Sequence, residues 1–246
     1  MAHVRFCVGV WGVIPISTRE TIEENKMNIF CLQIDTNYNA YQFKKLLKYV
    51  SPKRQERISR YHFKIDQKLS LYASLLIKMK LIDLFDIPEE KIVFKTNSYG
   101  KPYLTSYPNI YFNFSHTRNY IVCGISTKAT LGIDVEKVHP PLYDIMDICF
   151  HPFERKLLLQ EKSEKHSELF YKIWTRKEAY LKQCGTGLTN QLTTINTLDE
   201  SESSNFHTWI DDNYICSVYQ QNLLSDFNIN KISENCINAY YLHNIP

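Results

Sequence analysis

Residues Gln67 to about Phe85 read as a helix that is apolar on nearly every side, and such a helix must be wrapped by the rest of its chain. Leu69, Tyr72, Ala73, Leu76 and Met79 share one stripe, while Leu71, Leu75 and Ile82 fill another. Asp66 is placed to cap its start, and the helix stops before Pro88. The wrapping material is sufficient: 246 residues allow one large domain or two small ones, with about 70–75% of the unfolded surface buried. Hydrophobic residues at 44% and charged residues at 22% exclude a disordered chain, and 7 glycines with 9 prolines exclude a linker or a collagen-like repeat. A net charge of +3 is too small to make nucleic acid the default partner and suits a small anionic ligand.

The 7 cysteines are scattered, the closest pair being Cys216 and Cys236, so no zinc-ribbon or CxxC spacing exists. They read as reduced core thiols, and a cytoplasmic location is expected. Phe6 to Ile16 is apolar but broken by Gly9, Gly12 and Pro15, and no A-x-A-like cleavage site follows. Residues 1–26 therefore read as an extension ahead of Met27, which opens a clean strand. No window approaches the ~20 apolar residues of a membrane span, so no membrane association is expected.

Ser51-Pro52 is a helix-start pair opening a basic helix through about Phe63, with Lys53, Arg54, Arg57 and Arg60 before Lys64. Arg54, Arg57 and Arg60 share one face. Strands are expected at 29–34, 92–95, 110–114, 120–126 and 130–136, then helices near 143–149, 152–160 and 166–184. Further strands are expected near 192–198, 206–210 and 214–220, with a loop at 201–204. The order of strand, helices and strands occurs twice. It predicts an α+β fold of two lobes, 27–128 and 129–246, with the seam near 127–129.

Asp134 and Glu136 alternate with Ile133 and Val135, so both carboxylates leave one face of a strand. Such a pair is either one wet face of an edge strand or part of a metal site, and spacing alone leaves the two level. Trp174, Glu178 and Lys182 fall on one helix face; taken alone, the last two read as an ordinary surface ion pair. Gly185-Thr186-Gly187-Leu188 is too short for a phosphate loop. Ser115 and His116 are adjacent in a strand and point to opposite faces, so they form no nucleophile–base dyad. GxSxG and HExxH are both absent from the sequence.

Taken in order, these pieces are far more specific. Gly100-Lys101-Pro102, Phe112-Asn113-Phe114-Ser115-His116, Gly132-Ile133-Asp134-Val135-Glu136 and Trp174-x-x-Lys177-Glu178-Ala179-x-x-Lys182-x-x-Gly185-x-Gly187-Leu188 resemble the 4'-phosphopantetheinyl transferases, Sfp type, across about Met27 to Tyr219. The resemblance implies two similar lobes related by a pseudo-twofold axis, with the active site at their seam. It implies transfer of the phosphopantetheine arm of coenzyme A to a serine of an apo acyl, peptidyl or aryl carrier protein, by a monomer, with release of adenosine 3',5'-bisphosphate. Asp134, Glu136 and Glu178 would hold Mg2+, with Mn2+ as an alternative ion. Glu178 is the usual base, with Glu136 or a water beside the metal as the others. Lys182, Arg54, Arg57, Lys101, Ser115 and His116 would grip the pyrophosphate and 3'-phosphate, and Tyr99 and Gly100 would lie along the adenine.

One position departs from the pattern. Where relatives often carry an arginine or histidine at the start of the central helix, this chain has Leu69 preceded by Lys68. Either Lys68 substitutes or the contact is missing; in the second case Leu69→Arg should lower KM for coenzyme A. A nucleic-acid module using the basic helix and some of the 17 tyrosines as stacking platforms is the alternative from another class. It leaves Asp134, Glu136 and Glu178 unexplained, because carboxylates beside phosphates need a cation. A carrier-binding relative without activity is the other alternative, although no metal ligand is lost.

Overall fold

The computed structural model describes residues 4–6, 27–162, 165–187, 192–223 and 227–242. Strands β1 (Val4–Phe6) and β2 (Met27–Gln33) precede helices α1 (Ala40–Leu47), α2 (Pro52–Ser59) and α3 (Lys64–Phe85). The hairpin β3 (Phe94–Thr96) and β4 (Pro102–Leu104), then β5 (Tyr111–Thr117), β6 (Tyr120–Ser126) and β7 (Gly132–Lys137), lead to α4 (Tyr143–Cys149), α5 (Pro152–Gln160) and α6 (Lys165–Cys184). The short turn α7 (Glu200–Ser203), strands β8 (Phe206–Asp211), β9 (Tyr214–Tyr219) and β10 (Phe227–Ser233), and α8 (Glu234–Leu242) complete it.

Two sheets lie face to face, in the strand orders β1-β10-β2-β6-β5 and β7-β9-β8. In β2, Phe30 and Leu32 pack toward α3, whereas Ile29 and Cys31 pack toward the second sheet with Ile133, Val135, Cys216 and Val218. A strand covered on both faces needs an unbroken apolar run, and Ile29 to Leu32 supplies one. Helices α4, α5 and α6 cover the outer face of the second sheet through Met146, Phe150, Leu158, Phe170 and Ile173. The α+β class expected from the sequence is the one observed. Each half runs strand, long helix, hairpin, and each pairs its first strand with its last, antiparallel: β2 with β6, and β7 with β9.

The chain does not stay in its second half to the end. β10 pairs in parallel with β2 over seven residues, and Ile232, Ile237 and Tyr241 join the core around α3. The expected block 129–246 therefore ends in space near residue 223, and its last strand and helix, neither foreseen, complete the first sheet. Burial drives this: β10 alternates Phe227 and Ile229 into one core and Ile232 into the other, closing the edge of β2. Of the expected extension 1–26, Val4–Phe6 forms β1 beside β10; its remainder lies outside the described residues, as does Leu188.

Other expectations need correction. The basic helix stops at Ser59, and α3 begins at Lys64 with Phe63 at the cap position and no side-chain cap, so Asp66 sits inside the first turn. Residues 200–203 are one helical turn, not loop, and α1 was not foreseen. Segment 192–198 is no strand: only Leu192–Thr194 is regular, a 3-10 turn, because its carbonyls wrap two buried cations. Lys177 Nζ donates to Leu192 O at 2.7 Å, and Arg176 donates to Thr197 O at 2.6 Å. No helix among the described residues is long and apolar enough to cross a membrane.

The Leu69 question is settled by packing. Leu69 is 1% exposed in the α3 core. Lys68 turns the other way: its Nζ donates to the carbonyls of Asp35 at 2.7 Å and Asn37 at 3.0 Å and pairs with Glu234 at 2.9 Å. Neither residue lines the cavity described below, so Lys68 does not substitute for the missing cation. Leu69→Arg would bury a charge without a partner, costing about 3–5 kcal/mol. For a chain of this size that is a loss of about 6–20 °C in Tm. The sequence-based expectation of a lower KM is replaced by one of destabilisation, read by thermal melting.

Candidate active site

The second half docks on its own long helix through a glycine. A Cβ on Gly132 would lie 1.8 Å from the Ala179 carbonyl oxygen and 2.4 Å from the Gln183 nitrogen. Only a bare backbone lets β7 lie this close to α6, and that contact brings Asp134 against Lys182. Lys182 Nζ donates to Asp134 Oδ1 at 2.5 Å and to Ser115 Oγ at 2.7 Å.

Strand β5 grips β7 with alternate side chains. Asn113 Oδ1 accepts from Ile133 N at 3.1 Å, Ser115 Oγ donates to Asp134 Oδ1 at 2.8 Å, and Thr117 Oγ1 donates to Glu136 at 3.1 Å. The period of two puts Asn113, Ser115 and Thr117 on one face, and His116 on the other, as the sequence predicted. Asn113 and Thr117 were not singled out from the sequence; the alternation of polar residues through Asn113-Phe114-Ser115-His116-Thr117 is the signal that would have found them.

Three carboxylates crowd this point. Burial, then the Asp134 charge, push Glu136 up to about 7, with the Thr117 hydroxyl and Lys182 opposing. Burial and Asp134 also raise Glu178, which Lys182 opposes. Asp134 is 3% exposed, and its Oδ2 has no hydrogen-bond partner. A buried carboxylate oxygen left bare is costly, and a divalent cation beside it would relieve both that cost and the repulsion from Glu136 and Glu178. Among the described residues no three His, Cys, Asp or Glu side chains form a finished cage. Mg2+ does not require one, since it is usually held by one or two carboxylates with phosphate oxygens and water. The residues fit the ion.

The same repulsion carries a pH signature. Glu136 holds its proton more tightly folded than unfolded, so stability falls as pH rises from about 4.5 through about 7. In chelator, Glu136→Gln should match wild type below that window and melt several degrees higher above it. Equal melting temperatures at pH 8 would place no charge stress on Glu136.

Above the acids opens a cavity of about 700 Å³, walled by Arg54, Arg57, Tyr99, Gly100, Lys101, Glu178 and Lys182 among others. That volume lies in the range of small-molecule sites. Val50, Ile77, Ile92 and Phe94 add apolar surface to its wall. Arg54 donates to the Ser70 carbonyl at 3.0 Å, yet its Nε and the Ser70 hydroxyl are buried without partners. Burial, then Arg57, lower the Arg54 guanidinium to about 10. Burial, then the charges of Lys182 and Arg54, push the His116 imidazole down to about 4, with Asp66 opposing. An anion would satisfy this group.

Of the residues singled out from the sequence, Ser115, His116, Asp134 and Glu136 sit beside the cavity rather than on its wall, linked to it through Lys182 and Arg54. Lys101 is on the wall, but its Nζ donates to the carbonyls of Gln183 at 2.8 Å and Leu131 at 3.3 Å, and burial lowers it to about 8. Its ammonium ties the two halves together. Lys177, inside the sequence motif, is not at the site at all. It is fully buried in an ion pair with Glu154 at 2.8 Å, on the far side of α6.

Known proteins match this chain in sequence across both halves. Residues 130–232 match the family model of the 4'-phosphopantetheinyl transferase superfamily, and residues 37–128 match that of the 4'-phosphopantetheinyl transferase N-terminal region. A 4'-phosphopantetheinyl transferase of Bacillus subtilis is 32% identical over 162 residues, covering 66% of this chain and 72% of the relative. The 4'-phosphopantetheinyl transferase Sfp of Bacillus subtilis (strain 168) is 28% identical over the same shares. The L-aminoadipate-semialdehyde dehydrogenase-phosphopantetheinyl transferase of Mus musculus is 31% identical over 56% of this chain and 49% of its own. With the D-x-E strand, the long helix carrying Glu178 and Lys182, and both halves of the fold matched in sequence, this chain belongs to the 4'-phosphopantetheinyl transferases and is of the Sfp type.

Proposed function

We propose that this chain transfers the 4'-phosphopantetheine arm of coenzyme A to a serine of an apo carrier protein, with Mg2+, releasing adenosine 3',5'-bisphosphate. The observation that carries the reading is the unpartnered, buried Asp134 Oδ2 among repelling carboxylates, next to a cavity on whose wall Arg54 Nε is buried without a partner. The equivalent strand–helix–hairpin order of the two halves supports a pseudo-twofold relation, with the site at the seam where β5 meets β7.

In this reading Arg54, Arg57 and Lys182 hold the phosphates, and Tyr99 and Gly100 line the adenine end. Asp134, Glu136 and Glu178 would hold the ion, which when bound supplies polarisation of the pyrophosphate and neutralises charge on the leaving group. The carrier serine oxygen bonds to the phosphorus that bears the pantetheine, the bond from that phosphorus to the bridging oxygen breaks, and the bisphosphate leaves with the electron pair. The serine proton passes to a carboxylate. Glu178 lines the cavity whereas Glu136 does not, so Glu178 is the better placed base.

The test incubates the protein with coenzyme A, Mg2+ and apo carriers of the peptide-synthetase, polyketide, fatty-acid and aryl classes. The expected result is a mass gain of one phosphopantetheine on at least one carrier, abolished by chelator; kcat/KM across the panel ranks the substrates. Coenzyme A bound but no carrier modified would favour an inactive carrier-binding relative.

A further inference from the structure

The 97–101 turn between β3 and β4 carries Tyr99, Gly100 and Lys101 into the cavity wall. Its two strands have 3 residues each, too few to hold the turn by ladder bonds alone. Asn97 supplies the rest. Its Oδ1 accepts from Tyr99 N at 3.0 Å and from Lys101 N at 2.9 Å, a side-chain turn of the kind asparagine favours. Its Nδ2 then donates to the Gly185 carbonyl at 3.0 Å, across the seam between the halves.

Gly185 closes α6, the helix that bears Glu178 and Lys182: its N–H donates to the Leu181 carbonyl at 2.9 Å, and its φ is +66. A Cβ on Gly185 would lie 2.8 Å from Lys101 Cδ and 3.3 Å from Asn97 Nδ2. The turn therefore seats on bare backbone at the end of the helix.

We propose that Asn97 is a positioning residue for the nucleotide end of coenzyme A, shaping the 97–101 turn through Oδ1 and locking that turn to the end of α6 through Nδ2. This rests on the coenzyme A reading above. The two tasks use different atoms, so they separate by substitution. Asn97→Asp keeps the acceptor and sets a carboxylate oxygen against the Gly185 carbonyl oxygen, breaking only the lock. Asn97→Ala breaks both.

Wild type and both variants are compared by coenzyme A binding in calorimetry without carrier, by KM and kcat in transfer, and by amide exchange at Tyr99 and Lys101. Asn97→Asp should raise the Kd and KM for coenzyme A about tenfold, the effect of losing about 1.4 kcal/mol. The carrier KM should stay within about twofold, and exchange at Tyr99 and Lys101 should stay slow. Asn97→Ala should raise Kd further and speed both exchanges. Unchanged coenzyme A affinity in a folded Asn97→Ala would overturn the proposal, as would equal rises in both KM values with a lowered Tm. A wild type that binds coenzyme A but transfers nothing defeats only the transfer reading, because the Kd comparison still decides Asn97. A wild type that binds no coenzyme A overturns both.

Discussion

Asp134→Asn should lower kcat for arm transfer by about two to three orders of magnitude while leaving the Tm of the metal-free protein unchanged or raised. The asparagine keeps the shape of the side chain and can still accept from Ser115 and Lys182 through Oδ1. It removes the charge that raises Glu136 and Glu178 and that leaves Oδ2 bare. Losing the Lys182 pair costs little, since the Lys182 side chain keeps 29% of its exposure and water can take the ammonium. The loss of rate follows because an uncharged ligand binds a divalent ion poorly. Transfer followed by carrier mass, with melting curves in chelator and in Mg2+, checks both halves. Mg2+ should raise the wild-type Tm and leave that of the variant still. Near-wild-type transfer would remove Asp134 from the ion site, and a steep fall in Tm would make it a folding residue.

Glu154→Gln is expected to be the most damaging conservative change outside the site, at about 3–5 kcal/mol, or about 6–20 °C in Tm. Lys177 and Glu154 are both fully buried. The Glu154 carboxylate also accepts from His151 N, Thr197 N and the Thr197 hydroxyl, at 2.8, 2.7 and 2.7 Å. Lys177 gives its remaining protons to Leu192 O at 2.7 Å and to Ile195 O. The glutamine leaves the ammonium buried with carbonyls alone. Burial already lowers Lys177, with Glu154 holding it up. Without the carboxylate the lysine can escape by losing its proton, so the deficit should narrow as pH rises toward the lysine range. The double change Glu154→Gln with Lys177→Met should recover much of the loss, because it removes the stranded charge. A cycle of the four proteins in denaturant melts measures the coupling; additive losses would mean that the pair is not a unit.

Local pattern made much of this protein legible. The all-round apolar helix had to be central, and α3 is. Alternation put Asp134 and Glu136 on one strand face, and helical spacing put Glu178 one turn from Lys182. These are readings of period, which depend only on neighbouring residues. Cap and boundary readings were weaker: Ile58 is buried near the end of α2, and α3 starts after the extended backbone of an exposed Phe63, not at Asp66.

Burial and long-range partners were decided only in three dimensions. Lys68, Lys101, Arg176 and Lys177 are alike in sequence to any surface cation, yet each is taken up by backbone carbonyls. Lys101 and Lys177 find theirs in segments between 15 and 82 residues away. Whether a cation reaches a phosphate or a carbonyl depends on which backbone folding brings within 3 Å of it, and no spacing rule contains that. The return of β10 to the first sheet is of the same kind, since strand order reflects which apolar edges close the core. The sequence by itself determined the fold class and the family, and it put Asp134 and Glu136 on one face of a strand. The tertiary structure decided which of the charges near them face the cavity, because desolvation makes every buried ion take whatever partner lies closest.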